Sequence, residues 1–456
     1  MHDRDQIEIE DTIVALASAA GAAGVAVVRL SGRDALGVMR QMFRARGRGG
    51  EAGANVLVYG TVLSPAGESL DDCLVVEMPG PRSFTGEDVA EIQCHGSPAI
   101  VRAIIETCLH YGARMAQPGE FSRRAFLNGK MDLTQAEALS DLIAAQSEAA
   151  RRLALRQLRG GLGQRLRAIY SELLDAAAEI EAHIDFPDED IPQLAQDAIR
   201  GRMERGYAEI QALLSGYQKA RLKSEGIRVV LAGSPNAGKS SLFNAIVGRE
   251  RAIVSPHAGT TRDTIETTVE MNGIAVTLVD TAGIRDDAGE VEQIGIDRTF
   301  EEIGDADLVL HLVECGEAGA MEIGTASLEG IDPERVLLVR TKTDLVSDAA
   351  AVPGNVHLSS ATGQGLAQLE EAIVSRLQLE GGTTDEPEMS RARHAENLTR
   401  ALASLDLARG AFEQGESGDL VMIDLRDALS FLGETFGERL DEQILDRIFS
   451  TFCLGK

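Results

Sequence analysis

The stretch VVLAGSPNAGKSSLFNAIVG, Val229 to Gly248, reads as an apolar strand, a glycine-rich turn and the start of a helix. It fits G-x-x-x-x-G-K-[ST], with Gly233, Gly238, Lys239 and Ser240 in the strand–loop–helix context the motif requires. Glycine lets the N–H groups of such a loop converge at a helix N-terminus, a ready site for phosphate oxygens. Asn236, Ala237, Gly238, Lys239, Ser240 and Ser241 are therefore expected to cradle a nucleotide's phosphates. Lys239 is expected to span the β- and γ-oxygens, and Ser240 to ligate Mg²⁺.

Later segments, met in order, point to guanine. AGTTRD (258–263) offers Thr261 as a second hydroxyl for Mg²⁺, on a loop able to sense the γ-phosphate. Ser255, Pro256, His257, Ala258, Gly259 and Thr260 complete that loop. VTLVDTAG (276–283) ends a strand at Asp280, a carboxylate that binds the metal directly or through a metal-bound water, and runs through Thr281 and Ala282 to Gly283, whose N–H is expected near the γ-phosphate. VLLVRTKTD (336–344) ends another strand with Thr341, Lys342, Thr343 and Asp344. The Asp344 carboxylate can accept two hydrogens from the guanine edge, a pair adenine does not present, so GTP rather than ATP is expected. LSSATGQG (358–365), with Ser359, Ser360 and Ala361, would close over the base. Thr341 stands where many G domains have Asn and Ser360 where Ala is usual; both are expected to weaken the base contacts modestly.

Hydrolysis needs an oriented water, and many GTPases use a Gln just after D-x-x-G. Here Ile284 occupies that position and cannot orient water. Glu292, at the end of RDDAGEVE (285–292), is a candidate to position or polarise it. A bound monovalent cation, held by Asn236 and carbonyls of the 255–260 loop, can replace an arginine finger.

The 456 residues suffice for about three domains. With 44% hydrophobic and 25% charged residues, 4% aromatics and no Trp, the composition favours Ala/Leu-rich helices. Residues 11 to 117 mix β-like runs (Val25–Leu30, Val56–Val62, Cys73–Met78, Val89–Cys94) with helical segments near 33–45 and 98–111, an α+β unit. From Thr134 a long amphipathic helix is expected, with Thr134 and Glu137 as its capping box and Leu139, Leu142, Ile143, Gln146, Ala150 and Leu153 on one face. Gly160-Gly161 should stop it, a second helix should run to HIDFPDEDIP, and a third should occupy 195 to 223. Residues 227 to 377 alternate β-rich and helical patterns, as a parallel sheet requires. Amphipathic helices return from 391 with apolar Leu420, Ile423, Leu425, Leu429, Leu432, Leu440, Ile444, Ile448 and Phe449. Helices of this kind need a partner face, so one discontinuous bundle with an inserted α/β domain is expected.

The net charge of −28 argues against a protein that coats nucleic acid generally. Six arginines between Ala149 and Tyr170 (Arg151, Arg152, Arg156, Arg159, Arg165 and Arg167) read either as a solvated helix face or as a stripe for RNA phosphates. The longest charge-free stretch, Thr12 to Val28, is short for a bilayer span and broken by Gly21 and Gly24, so a cytoplasmic protein without a membrane partner is expected. Cys73, Cys94, Cys108, Cys315 and Cys453 form no CxxC pair and are expected to be structural thiols. Cys453, in the ending STFCLGK, leaves three readings open: a prenylation box, which Leu-Gly-Lys fits poorly, a buried thiol, or a nucleophile on a carboxyl-terminal arm.

Seven ordered blocks resemble the MnmE (TrmE) family of tRNA wobble-uridine modification GTPases: DTIVALAS…GVAVVRLSG, PRSFTGEDVAEIQCHG, PGEFSRRAFLNGKMDLTQAEALSDLI, IDFPDEDI, AGSPNAGKSSLFNAIVGRERAIVSPHAGTTRD, DTAGIRDDAGEVEQIGIDR and RIFSTFCLGK. The resemblance implies an α+β domain over 1–125 that binds a tetrahydrofolate and dimerises. It further implies a helical domain in two parts (126–222 and 381–456) and an inserted Ras-like P-loop domain over 223–380. Carried onto this chain, the folate site comprises Arg29, Glu91, Lys130 and Lys456. The K⁺ site comprises Asn236, Ser255, His257 and Thr260, with Mg²⁺ on Ser240 and Thr261. Glu292 falls at the water-orienting glutamate, and Cys453 in the Cys-x-Gly-Lys ending that lies beside the folate site, where its thiolate could add to carbon 6 of the uridine or serve another step. The implied reaction adds an aminomethyl or carboxymethylaminomethyl group to carbon 5 of the wobble uridine. It draws on 5-formyl- or 5,10-methylene-tetrahydrofolate and on an FAD-dependent MnmG (GidA) partner, in a heterotetramer. The competing reading is a regulatory GTPase of ribosome assembly without modifying activity.

Overall fold

The computed structural model describes residues 11–46, 53–185, 193–250, 265–280, 302–315, 331–346, 355–379, 387–438, 442–453 and 455. The chain divides into two compact units: Met1–Ser140, Leu158–Ser171 and Leu429–Lys456 form one, and Asp141–Gln157 with Glu172–Ala428 the other.

The first unit carries a seven-stranded sheet in the order β3-β4-β5-β6-β2-β1-β7. Its strands are β1 (Ile13–Leu16), β2 (Ala23–Ser31), β3 (Phe43–Ala45), β4 (Leu57–Leu63), β5 (Ser69–Met78), β6 (Val89–Gly96) and β7 (Arg114–Met115). Neighbours are antiparallel except β1 with β7. Alternation along the strands sends Val28, Leu30, Val75, Ile92 and Cys94 into a core shared with α1 (Ala35–Met42) and α2 (Pro98–His110). β2, β4, β5, β6 and α2 stand where the periodicity places them, whereas the helix expected near 33–45 ends at Met42 and Phe43–Ala45 pairs as β3 with β4. The strands β1, β3 and β7, of 4, 3 and 2 residues, are too short to leave a pattern in the sequence.

A further helix, α3 (Glu120–Leu127), leads into α4 (Leu133–Ala144). Near the carboxyl terminus, Leu445 and Phe449 of α12 (Glu442–Ser450), with Phe452, pack on Phe126, Leu133 and Ala136. The expected capping box of α4 is displaced by two residues. Gln135 N–H donates to Asp132 Oδ1 at 2.9 Å, and Asp132 N–H to Gln135 Oε1 at 3.0 Å. Thr134 lies inside the helix, donating its hydroxyl to Asp132 Oδ1. The long helix expected from Thr134 is in fact two, α4 and α5 (Glu148–Leu158). The break is held by Ser147 Oγ, which accepts from Ala150 N–H at 3.2 Å. It is held again by the first amides of α5, which bond outside the helix: Glu148 N–H to Glu270 Oε1 and Ala149 N–H to Gly273 O. The buried face of α4 is Leu133, Thr134, Ala136, Glu137 and Ala138 rather than the stripe through Ile143, which is exposed.

The second unit holds a six-stranded sheet ordered β13-β12-β11-β8-β10-β9. It comprises β8 (Ile227–Gly233), β9 (Ile265–Met271), β10 (Ile274–Asp280), β11 (Leu308–Glu314), β12 (Val336–Thr341) and β13 (Val356–His357), parallel except for β9. The near-continuous apolar runs of β8, β10 and β11 are those of strands buried on both faces. One face packs on α8 (Lys239–Arg249) and α9 (Leu366–Arg376) through Leu242, Phe243, Ile246, Leu369 and Ile373. The helices α6 (Gly161–Asp185), α7 (Gln193–Glu225), α10 (Ala392–Glu413) and α11 (Gly418–Phe436) complete the helical part of the fold. In α11 the buried stripe is Val421, Met422, Leu425, Ala428, Leu429, Leu432 and Phe436, while Leu420 and Ile423 are exposed. Among the described residues no helix is long and apolar enough to cross a membrane.

Candidate functional site

The carboxyl ends of β8, β10, β12 and β13 gather the nucleotide motifs on one edge of the parallel sheet, where open α/β sheets bind their ligands. Gly233 closes β8 at φ +147, and a Cβ there would stand 2.5 Å from Leu312 O, so only glycine permits the turn. Asn236 and Gly238 take left-handed backbone (φ 67 and 93), and Ala237 N–H turns back to Ser234 O. Lys239 Nζ donates to Gly233 O at 2.9 Å and to Ser234 O at 3.0 Å, folding its ammonium over the loop it is expected to serve. Ser240 and Ser241 are exposed at the helix start, and Asp280 is buried at the end of β10.

Thr341 is buried, and its hydroxyl donates to Ala237 O at 2.7 Å. The residue expected only to weaken base contacts thus ties the Thr341–Asp344 segment to the glycine-rich loop. Lys342 stands in left-handed backbone (φ 58) with Nζ 2.5 Å from Glu314 Oε2. Asp344 follows, exposed, in the turn Thr343–Leu345. Thr343 N–H donates to Leu358 O, which sets this turn beside the 358–365 loop. There Ser359 is fully buried, its Oγ accepting from Thr362 N–H, while Ser360 is half-buried and Ala361 exposed. Ser255, Pro256, His257, Ala258, Gly259, Thr260, Thr261, Thr281, Ala282, Gly283, Ile284 and Glu292 lie outside the described residues, so of the residues expected at the metals Asn236, Ser240 and Asp280 are placed.

The first unit holds a second constellation. Arg29 on β2 faces Glu91 on β6 in register, and its Nε lies 2.8 Å from Glu91 Oε1. Its guanidinium stacks over Phe84 and Phe121, at 5.4 and 5.8 Å from the ring centroids, and Nη1 donates to Gly455 O at 3.5 Å. Lys130 Nζ donates to Pro81 O at 2.9 Å, so Arg29 and Lys130 both rest on the loop that holds Pro81 and Phe84. Gly119 N–H donates to Cys453 O at 3.4 Å, and a Cβ on Gly119 would meet Phe449 O at 2.3 Å. Gly455, buried, would likewise meet Leu16 O at 2.1 Å. Close backbone approach at two glycines therefore seats the carboxyl-terminal arm, and Cys453 stands exposed upon it. Lys456 lies outside the described residues.

The aromatic pair around Arg29 and the seat of Gly455 leave no local pattern in the sequence; Gly119, just before a helix start, leaves one. The arginine stripe is largely neutralised. Glu148 lies 2.8 Å from Arg151 and 2.6 Å from Arg152, Glu388 pairs with Arg156, and Asp132 lies 2.8 Å from Arg167. Those pairings favour the solvated-face reading over an RNA stripe.

Comparison with known proteins identifies the family. Residues 133–453 match the family model described as MnmE helical domain, and residues 12–130 that described as GTP-binding protein TrmE N-terminus. The chain is 42% identical to the tRNA modification GTPase MnmE of Geobacter sulfurreducens, over 98% of this chain and 100% of that one. It is 42% identical to that of Symbiobacterium thermophilum over the same shares, and 43% identical to that of a Synechococcus strain over 98% and 99%. With two family models matched in succession and identity of 42% or more over nearly the whole length of these relatives, the chain belongs to the MnmE (TrmE) family.

Proposed function

We propose that the protein is a cytoplasmic GTP hydrolase that takes part in modifying carbon 5 of the tRNA wobble uridine. The observation that carries the hydrolase reading is the meeting of the phosphate loop, Asp280 and the Thr341–Asp344 turn on one sheet edge, locked by the Thr341–Ala237 bond. Membership of a family whose relatives are named for tRNA modification supports the rest.

Lys239 exchanges its two carbonyl partners for phosphate oxygens, a favourable trade because charge-assisted hydrogen bonds are roughly twice as strong as neutral ones. Ser240 and Thr261 hold Mg²⁺, while Asn236, Ser255, His257 and Thr260 hold K⁺. These ions supply fixed positive charge where negative charge develops on the transferring phosphoryl group. Glu292 orients the water, and Asp344 reads guanine. In the first unit Lys130, with Lys456, suits the anionic glutamate of a tetrahydrofolate, and Glu91, held by Arg29, suits its pterin donors. Bound 5-formyl- or 5,10-methylene-tetrahydrofolate supplies the one-carbon unit. The Cys453 thiolate adds to carbon 6 of the uracil, the C5=C6 pair moves to carbon 5 and bonds the one-carbon unit, and loss of the carbon 5 proton restores the double bond and expels the thiolate. The working assembly is a homodimer joined by an FAD-dependent MnmG (GidA) protein, with tRNA as substrate.

GTP turnover measured in K⁺ and in Na⁺ tests the cation site: faster turnover in K⁺ is expected, and equal rates remove it. Mass spectrometry of tRNA nucleosides from cells lacking this chain should show loss of the wobble modification, and an unchanged profile overturns the modifying role.

A further inference from the structure

We propose that Arg124 is a positioning residue of the tetrahydrofolate pocket: through Glu87 it fixes the loop on which two cations of that pocket, Arg29 and Lys130, both rest. The inference builds on the folate reading above and concerns a side chain that touches no ligand.

Arg124 lies in α3, and its side chain is fully buried. Its Nη1 donates to Asp11 O at 2.9 Å and to Glu87 Oε2 at 3.2 Å; its Nη2 donates to Asp11 Oδ1 at 2.7 Å and to Glu120 Oε1 at 2.9 Å. Burying an ionic network of this kind is weak evidence for stability, because apolar side chains of the same volume commonly do as well. A role in geometry accounts for it better. Glu87 is the inner anchor of the 81–87 loop: its Oε2 accepts from Ser31 Oγ at 2.6 Å, and Ser31 Oγ lies 2.7 Å from Thr85 Oγ1. The outer side of the same loop meets these two cations. Pro81 O accepts from Lys130 Nζ, and the Phe84 ring lies under the Arg29 guanidinium. At Gly86, the site of a Cβ is 3.3 Å from the Lys130 stem. A shift of Glu87 therefore moves both cations at once. The planar guanidinium is suited to this task because it fixes two acceptors at a set angle, which the point charge of lysine does not.

The test uses the full-length protein and 5-formyl-tetrahydrofolate, titrated calorimetrically into wild type, Arg124→Lys and Ser31→Ala. The chain has no Trp, so Phe84→Trp in each background installs a single emission reporter on the loop. We expect both variants to raise the folate Kd about tenfold or more with GTP turnover unchanged, and the Trp emission of the folded protein to shift red. A merely structural arginine would lower the melting temperature without moving the emission of the folded state. Should Arg124→Lys fail to fold, Ser31→Ala decides by the same readouts. If wild type takes up no folate, the folate reading falls. If wild type binds and the folded variants bind within twofold of it, or the emission stays put, the positioning role is overturned.

Discussion

Thr341, where many G domains have Asn, uses its hydroxyl to reach the Ala237 carbonyl from a buried position. Thr341→Ala leaves that carbonyl without this donor, a loss of about 1–3 kcal/mol for a buried group. About tenfold weaker binding of a fluorescent GTP analogue is expected, and unchanged affinity would refute the tie. The thiols divide by burial. Burial pushes Cys73 and Cys108 up to about 12 and Cys94 up to about 11, whereas Cys453 is exposed. Brief treatment of the native protein with iodoacetamide at pH 8 should therefore label Cys453 first in a peptide map. Burial also pushes the Glu120 carboxyl up, but Arg114, the Gln117 N–H and Arg124 outweigh it and hold the group below its usual 4.5. A depressed carboxyl contributes stability that is complete above about 4.5 and is lost as pH falls through the folded-state value. Glu120→Gln should lower the melting temperature at pH 7, and the gap from wild type should close as the pH drops below that value.

The helices were legible as helices, and their ends and faces less so. The start of α4 lies at Asp132 and Gln135 because aspartate accepts from the amide three residues on while glutamine returns the bond, a reciprocal cap that Thr134 and Glu137 could not form from inside the helix. Asp132→Ala removes the cap and the Arg167 ion pair together. The cap alone is worth about 1 kcal/mol. A drop of about 2–4 °C in melting temperature is expected by calorimetry, and no change would show the cap to be idle. The gap between α4 and α5 is invisible to periodicity because its cause lies in another element. The amides that would have continued one helix are taken instead by Glu270 and by the carbonyl of Gly273 at the β9–β10 turn. In α11 the apolar stripe read from the sequence included Leu420 and Ile423, both of which face solvent, because hydrophobicity alone does not distinguish a buried position from its neighbour.

Across the molecule, each unit closes its own apolar core: Val28, Ile92 and Ile104 mark the one, Leu231, Leu242 and Ile373 the other. The nucleotide residues belong to the second unit and Cys453 to the first. Cys453→Ser is therefore expected to abolish tRNA modification in vivo while GTP turnover stays within about twofold of wild type, the isosteric change being exposed and outside the G-domain core. Loss of both activities together would deny the separation. The order of motifs from Gly233 to Gly365 determined by itself that this chain carries a guanine-nucleotide P-loop sheet, because phosphate and base recognition demand particular residue types at strand ends whatever surrounds them. The tertiary structure alone decided what holds those residues. The Thr341 hydroxyl on the phosphate loop, the aromatic rings around Arg29 and the glycine seats under Cys453 join positions far apart in the chain, 55 residues for Arg29 and Phe84 and 426 for Arg29 and Gly455. Such contacts arise only when folding brings distant backbone into register, and no local pattern records them.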